Sequence, residues 1–169
     1  MSLADRQNQC GDTRISSVEA SHIAELIRIG DETNLSPWTA QNYLDEMKNK
    51  DAVLRRLVAE DNSTIGFVVG RFVIGGDIEP ARDAEIYNIA VTVSEQRKGC
   101  GQRLFDSFLA VCQEKDVGNV WLEVRESNNK AIGFYEKNGF VRVQTRPSFY
   151  DNPREHALLM KLILKKHRA

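Results

Sequence analysis

Residues 84–101 read Ala84-Glu85-Ile86-Tyr87-Asn88-Ile89-Ala90-Val91-Thr92-Val93-Ser94-Glu95-Gln96-Arg97-Lys98-Gly99-Cys100-Gly101. The β-branched and aromatic residues between Glu85 and Val93 predict a strand, and Leu104, Phe105, Phe108, Leu109 and Cys112 fall at helical spacing over Gln102–Lys115. The segment is therefore a strand, a glycine turn and a helix. In Gln96-Arg97-Lys98-Gly99-Cys100-Gly101 the glycines let main-chain N–H groups approach a ligand closely. The helix that follows adds the positive end of its dipole, and Arg97 and Lys98 add full charge, so a phosphate or pyrophosphate is the expected guest. A dinucleotide fingerprint would need a glycine where Leu104 stands, and a P-loop would need Gly-Lys-Ser/Thr, which is absent. On these six residues alone, a strand-to-helix turn without a ligand is the competing reading.

Working outward, Ser16 followed three residues later by Glu19 reads as a capping box for a helix whose apolar face is Ile23, Leu26 and Ile27. Ser36-Pro37 reads as the start of a second short helix carrying Tyr43, Leu44 and Met47. Ala52–Ala59 and Ile65–Ile74 flank the turn-rich Asp61-Asn62-Ser63 and predict an antiparallel hairpin, with 75–83 as a surface loop. Beyond the central segment come a strand at Val120–Val124 and a helix at Asn129–Asn138 closed by Gly139. Strands at Phe140–Gln144 and Ala157–Leu164 follow. The order α-α-β-β-β-α-β-α-β-β implies an α/β (α+β) protein with a mixed sheet and helices on both faces. One domain over 14–169 is expected, after a flexible leader at 1–13.

The 23 basic residues against 24 acidic ones give no excess to neutralise phosphate backbones, so nucleic acid is a poor partner. No stretch is apolar for long enough to span a bilayer, and the polar opening is neither signal peptide nor anchor. Three cysteines, Cys10, Cys100 and Cys112, with no C-x-x-C spacing, argue against a disulfide framework and a structural zinc site and suit a reducing cytoplasm. Cys100 reads as a small packing residue. His22, His156 and His167 lack metal-ligand spacing, and no serine sits in G-x-S-x-G, so no metal is expected.

Several ordered motifs resemble the GNAT acetyltransferases: Asn88-Ile89-Ala90-Val91, Gln96-x-x-Gly99-x-Gly101, Trp121-Leu122-Glu123-Val124-Arg125, Asn128, and Phe134-Tyr135-Glu136-Lys137-Asn138-Gly139-Phe140. The pattern is similar to the RimI-like ribosomal-protein-alanine N-acetyltransferases, densely from Ala84 to Phe140 and weakly at Ser36-Pro37-Trp38 and Phe149-Tyr150. The resemblance implies a mostly antiparallel central sheet splayed between its fourth and fifth strands, with acetyl-CoA in the resulting cleft. It implies that main-chain groups of Ile89, Ala90 and Val91 hold the pantetheine and thioester. Arg97, Lys98, Gly99, Cys100, Gly101 and Gln102 would hold the pyrophosphate, and Asn128 would contact the cofactor further along.

Acetyl transfer to an amine requires an uncharged nucleophile, a polarised carbonyl and a proton for the departing thiolate. The resemblance assigns Glu123 as general base, with Glu85 as rival, and Tyr135 as general acid. A strand amide near Ala90 or Val91 would polarise the carbonyl. The bland alternatives are a solvated strand carboxylate and a core aromatic. Trp38, Tyr87, Phe149 and Tyr150 are candidates for an acceptor groove, though Phe149-Tyr150 stands where relatives tend to carry two tyrosines, and Pro147-Ser148 precede it. The implied acceptor is a protein N-terminus. A small amine such as a polyamine or aminoglycoside is the second reading, a non-catalytic acyl-CoA-binding module the third, and monomer and dimer are both open.

Overall fold

The computed structural model describes residues 10–75 and 81–164. In chain order the strands are β1 (Arg14–Ser17), β2 (Ala52–Val58), β3 (Thr64–Gly75), β4 (Ala81–Val91), β5 (Asn119–Arg125), β6 (Val141–Asp151) and β7 (Arg154–Ile163). The helices are α1 (Ile23–Glu32), α2 (Ala40–Lys48), α3 (Cys100–Glu114) and α4 (Asn129–Lys137), with short 3₁₀ turns at Ala20–His22 and Val93–Glu95. The strands form one sheet in the order β1-β2-β3-β4-β5-β7-β6. It is mixed: β4 runs parallel to β5, while β1/β2, β2/β3, β5/β7 and β6/β7 are antiparallel. The mixed sheet matches the expected class.

Contacts divide the chain into two compact units, one built up to Arg71 and over Asn88–Val111, the other from Phe72–Tyr87 and from Cys112 onward. In the first, Leu26 and Ile29 of α1, Tyr43 of α2, Phe67 of β3 and Leu104, Phe105 and Phe108 of α3 are buried. Each such side chain contributes about 1.5–3 kcal/mol of transfer free energy. In the second, Val120 and Leu122 of β5 and Ala157 and Met160 of β7 are buried. The β5 residues between them, Trp121, Glu123 and Arg125, are intermediate in exposure, the alternation a half-buried strand requires. The parallel β4/β5 register covers four rungs, from Asp83↔Asn119 to Ile86↔Leu122, whereas β5 pairs with β7 over seven, from Asn119↔Ile163 to Arg125↔Ala157.

Three local readings change. Ser16 does not cap a helix: it lies in β1, opposite Arg56 of β2, and the capping box joins Glu19, just before the 3₁₀ turn, to His22 at its end. Pairing with β2 satisfies the backbone of these four residues better than a helical turn would. Helix α2 begins after Thr39 rather than at Ser36-Pro37. The Thr39 hydroxyl accepts from Asn42 N at 3.2 Å, and Asn42 Oδ1 accepts from Thr39 N at 2.8 Å, a reciprocal cap one turn later. The cysteines are not all free, because Cys10 and Cys100 form a disulfide with Cα atoms 5.1 Å apart, and Cys112 is free and buried. Spacing cannot reveal a partner 90 residues away that only folding brings close. Of the leader expected at 1–13, residues 1–9 lie outside the described residues, and Cys10 is buried and held by this bond.

Candidate active site

In the first unit, β4 ends in Ile89, Ala90 and Val91, with Ala90 and Val91 buried. Val91 O accepts from the Gln96 side-chain amide at 2.9 Å, which folds the turn back onto the strand. Glu32, at the end of α1, accepts from Thr92 Oγ1 at 2.9 Å and from Val93 N at 2.8 Å. These bonds hold its carboxyl below the usual range, Val93 contributing most. Sequence inspection misses Glu32, because its partners stand about 60 residues on.

The chain then turns through Arg97 at φ 63° and Gly99 at φ 83° into α3. The first amides of a helix have no intrahelical acceptor, and here they lie beside Arg97 and Lys98, both exposed. This donor set suits a doubly anionic group. Lys98 Nζ lies 3.3 Å from Glu95, and the Gln102 side chain donates to Asp106 at 2.8 Å, so Gln102 faces along its own helix. Cys100 is buried and its sulfur is joined to Cys10, so what it offers a ligand is its main-chain N–H. Asn88, also buried on β4, has an Nδ2 without a hydrogen-bond partner among the described residues. Such an orphaned donor is costly unless a ligand or water completes it, and it fits the strand segment expected to carry a cofactor. Trp38 belongs to this unit and packs on Tyr43, with ring centroids 5.1 Å apart.

In the second unit the β5 alternation sets Glu123 and Arg125 on one face. The Glu123 side chain is 15% exposed, and its Oε1 lies 2.7 Å from Nη1 of Arg146 on β6. Burial raises the Glu123 pKa above the ordinary carboxylate value, and Arg146 opposes part of that rise. Arg125 is anchored differently. Its guanidinium donates to Asn152 O at 3.2 Å, Pro153 O at 3.1 Å and Glu155 Oε2 at 3.3 Å, and its Cζ stands 4.1 Å from the centroid of the Tyr150 ring.

Tyr135 sits in the last turns of α4, whose start is capped by Asn128 Oδ1 accepting from Ala131 N at 3.1 Å. Gly139, at φ 92°, closes the helix: its N–H bonds Glu136 O at 3.1 Å, and the N–H of Phe140 bonds Tyr135 O at 3.0 Å. This paired closure needs a left-handed residue, which glycine adopts without strain, and it brings the Phe140 ring to 5.4 Å from that of Tyr135. Burial, and then the neighbouring Tyr150, push the Tyr135 pKa up, so its hydroxyl stays protonated. Tyr150 is likewise pushed up, by burial first and then by the charge of Glu123.

Glu123, Tyr135 and Tyr150 thus form one interacting set with Phe149, whose ring meets Tyr150 edge-on at 5.0 Å. Glu85 stands opposite Trp121 in the β4/β5 register, and Tyr87 follows on the same face of β4. Arg146 and Glu155 are contributors that the motif reading overlooks, since neither spacing nor residue type marks them until the β5-β7-β6 register is known. Among the described residues no group of three or more His, Cys, Asp or Glu is arranged to hold a metal ion, and no helix is long and apolar enough to cross a membrane.

The model of the acetyltransferase (GNAT) family matches residues 23–140. The ribosomal protein bS18-alanine N-acetyltransferase of Haemophilus influenzae is 33% identical over 155 residues, covering 89% of this chain and 98% of that protein. Among solved structures, the ribosomal-protein-S18-alanine N-acetyltransferase of Escherichia coli superposes with TM-score 0.77 at 25% identity, covering 93% of this chain and 99% of that one. Arabidopsis thaliana NAA60 in complex with acetyl-CoA superposes with TM-score 0.81 at 17% identity, covering 90% and 98%, a likeness of fold.

Proposed function

This chain belongs to the acetyltransferase (GNAT) family, and from that premise we propose that it carries an acetyl group from acetyl-CoA to the α-amine at the N-terminus of a protein, with Glu123 as general base and Tyr135 as general acid. The observation that carries the reading is Glu123 itself, a strand carboxylate only 15% exposed and held by burial above the ordinary range. Raised basicity is what a proton acceptor for an ammonium needs. An α-amine, with a reference pKa of ~7.7–8.0, needs less basic help to lose its proton than a lysine at ~10.4. The bS18-alanine acetyltransferases among the relatives point to the same acceptor class.

Acetyl-CoA supplies a thioester whose carbonyl carbon is attacked by the amine. The phosphate turn, from Arg97 to Gln102, binds the pyrophosphate through helix amides and the two basic side chains. Main-chain groups of Ile89 to Val91 receive the pantetheine, a strand amide there polarises the carbonyl, and Asn128 contacts the cofactor further along. Glu123 removes the proton that makes the acceptor amine non-nucleophilic. Tyr135, kept protonated by burial, gives its proton to the sulfur as the carbon–sulfur bond breaks. Tyr150 and Phe149 line the approach of the peptide end, with Tyr87, Glu85 and Trp38 as further contacts.

The test is acetyl-CoA-dependent acetylation followed by intact-mass spectrometry. The acceptors are a peptide with a free alanine N-terminus, its N-blocked twin, and a panel of polyamines and aminoglycosides. Acetylation of the free peptide alone is expected. Reaction of the small amines instead overturns the acceptor, and reaction with none of them, together with retained acetyl-CoA binding, favours a non-catalytic binding module.

A further inference from the structure

We infer that Arg146 is a positioning residue for the reaction: it holds Glu123 by one carboxylate oxygen and leaves the other to receive the proton of the acceptor amine. The inference rests on Glu123 being the base, and its grounds are the geometry of three strands. In the β5-β7-β6 register, Arg125, Ala157 and Arg146 form one rung, Val124, Leu158 and Thr145 the next, and Glu123, Leu159 and Gln144 the one after. Residues directly opposite share a face and successive rungs alternate between faces, so Arg146 stands on the face of Glu123, two strands away and two rungs along.

Two inter-strand spacings amount to roughly 9–10 Å, which an extended arginine and a glutamate bridge between them. On the intervening strand the diagonal from Arg146 to Glu123 passes between Ala157, which shares the rung of Arg146 and presents only a methyl group, and Leu159, which shares the rung of Glu123. The contact is made by Nη1 of Arg146 to Oε1 of Glu123, at 2.7 Å.

Two further cations on this face are committed elsewhere: Arg125 is spent on two hairpin carbonyls, on Glu155 and on the Tyr150 ring, and Lys161 stands over the Trp121 ring. Arg146 is also braced. It is the last residue in register before β6 bulges between Arg146 and Tyr150. Its guanidinium stands 6.0 Å from the Phe149 ring, and within the bulge Ser148 donates its N–H to His156 Nδ1 at 2.9 Å. A bulge at a strand edge re-aims side chains and is a common neighbour of active sites.

The charged and titratable groups on the face of Glu123 and on the elements beside it are Arg125 on its own strand, Arg146 and Tyr150 on β6, Glu155 and Lys161 on β7, Tyr135 on α4, and Glu85 and Tyr87 on β4. Of these, Arg146 is ion-paired with it. A fixed carboxylate loses less orientational freedom when the amine arrives, and it takes up the proton from a defined direction.

The experiment compares wild type with Arg146→Gln, Arg146→Lys and Glu123→Gln in the full chain. Two quantities are read: the pH midpoint of the Glu123 side-chain carboxyl by ¹³C NMR, and kcat for acetylating a synthetic peptide with a free alanine N-terminus. Because the Arg146 side chain is 47% exposed on an edge strand, Arg146→Gln is expected to fold, and retained acetyl-CoA binding checks this. Its Glu123 midpoint should rise by about one pH unit, its kcat should fall on the order of tenfold, and Arg146→Lys should restore part of both. An unmoved midpoint with unmoved kcat overturns the inference, as does a raised midpoint with undiminished kcat. A Glu123→Gln variant as active as wild type instead removes Glu123 as base, and the role of Arg146 falls with it.

Discussion

The Arg125 guanidinium stands over the Tyr150 ring, with Cζ 4.1 Å from the ring centroid, while its N–H groups hold the carbonyls of Asn152 and Pro153. One side chain thereby fixes both the β6/β7 turn and the tyrosine beside Glu123. Arg125→Ala should loosen the acceptor site without touching the phosphate turn. The expected outcome is a raised KM for a peptide acceptor, unchanged acetyl-CoA affinity and a melting temperature lower by a few degrees, from about 1–2 kcal/mol of lost charged hydrogen bonding. Steady-state kinetics and a thermal melt check it.

Tyr135→Phe keeps the ring contacts with Phe134 and Phe140 and removes only the hydroxyl. Turnover should fall on the order of a hundredfold, the scale of general acid catalysis. Acetyl-CoA affinity, measured by calorimetry, should be retained, because the proton is needed as the thiolate leaves and not before. Wild-type turnover would rule out the hydroxyl as proton donor.

Gly66 on β3 has no room for a side chain. A Cβ there would lie 2.8 Å from Ala90 O, 2.9 Å from Leu104 Cδ1 and 3.2 Å from Val91 Cγ2. The carbonyl cannot swing aside as a side-chain tip can, so Gly66→Ala should displace the end of β4 at a cost of about 1–3 kcal/mol. Differential scanning calorimetry should show the destabilisation, and acetyl-CoA affinity should fall with it, since Ala90 and Val91 are the proposed pantetheine contacts.

Glu155 bonds Ser127, and these bonds, with Arg125 beside it, hold its carboxyl below the ordinary value. A carboxylate with a depressed folded pKa adds stability that is present above its unfolded value of ~4.3 and is lost as pH falls through the folded one. Melting temperatures recorded from pH ~6 to ~3 should therefore drop less steeply for Glu155→Gln than for wild type. Parallel curves would show that the Ser127 and Arg125 contacts contribute nothing to folding.

The central part of this molecule was legible in its sequence for a physical reason. Leu104, Phe105, Phe108 and Cys112 repeat at helical spacing, and Gly139 marks the end of α4, so local pattern and tertiary burial agree. Strand β1 was not legible, because Arg14-Ile15-Ser16-Ser17 is too short to show alternation and its Ser16 imitates a cap. The Glu123–Arg146 pair was hidden more deeply. It depends on a register two strands across, with a shift between Arg142 and Gln144 that no periodicity announces. Composition suggested free thiols for the same reason, since the separation of Cys10 from Cys100 along the chain says nothing of their approach in space.

The Cys10–Cys100 bond makes a covalent ring of everything from β1 to the first residue of α3. A protease that cuts once inside that ring releases nothing, because the two pieces stay attached through sulfur. Such nicked protein should keep its full mass in a non-reducing gel and separate into two bands only when a thiol is added.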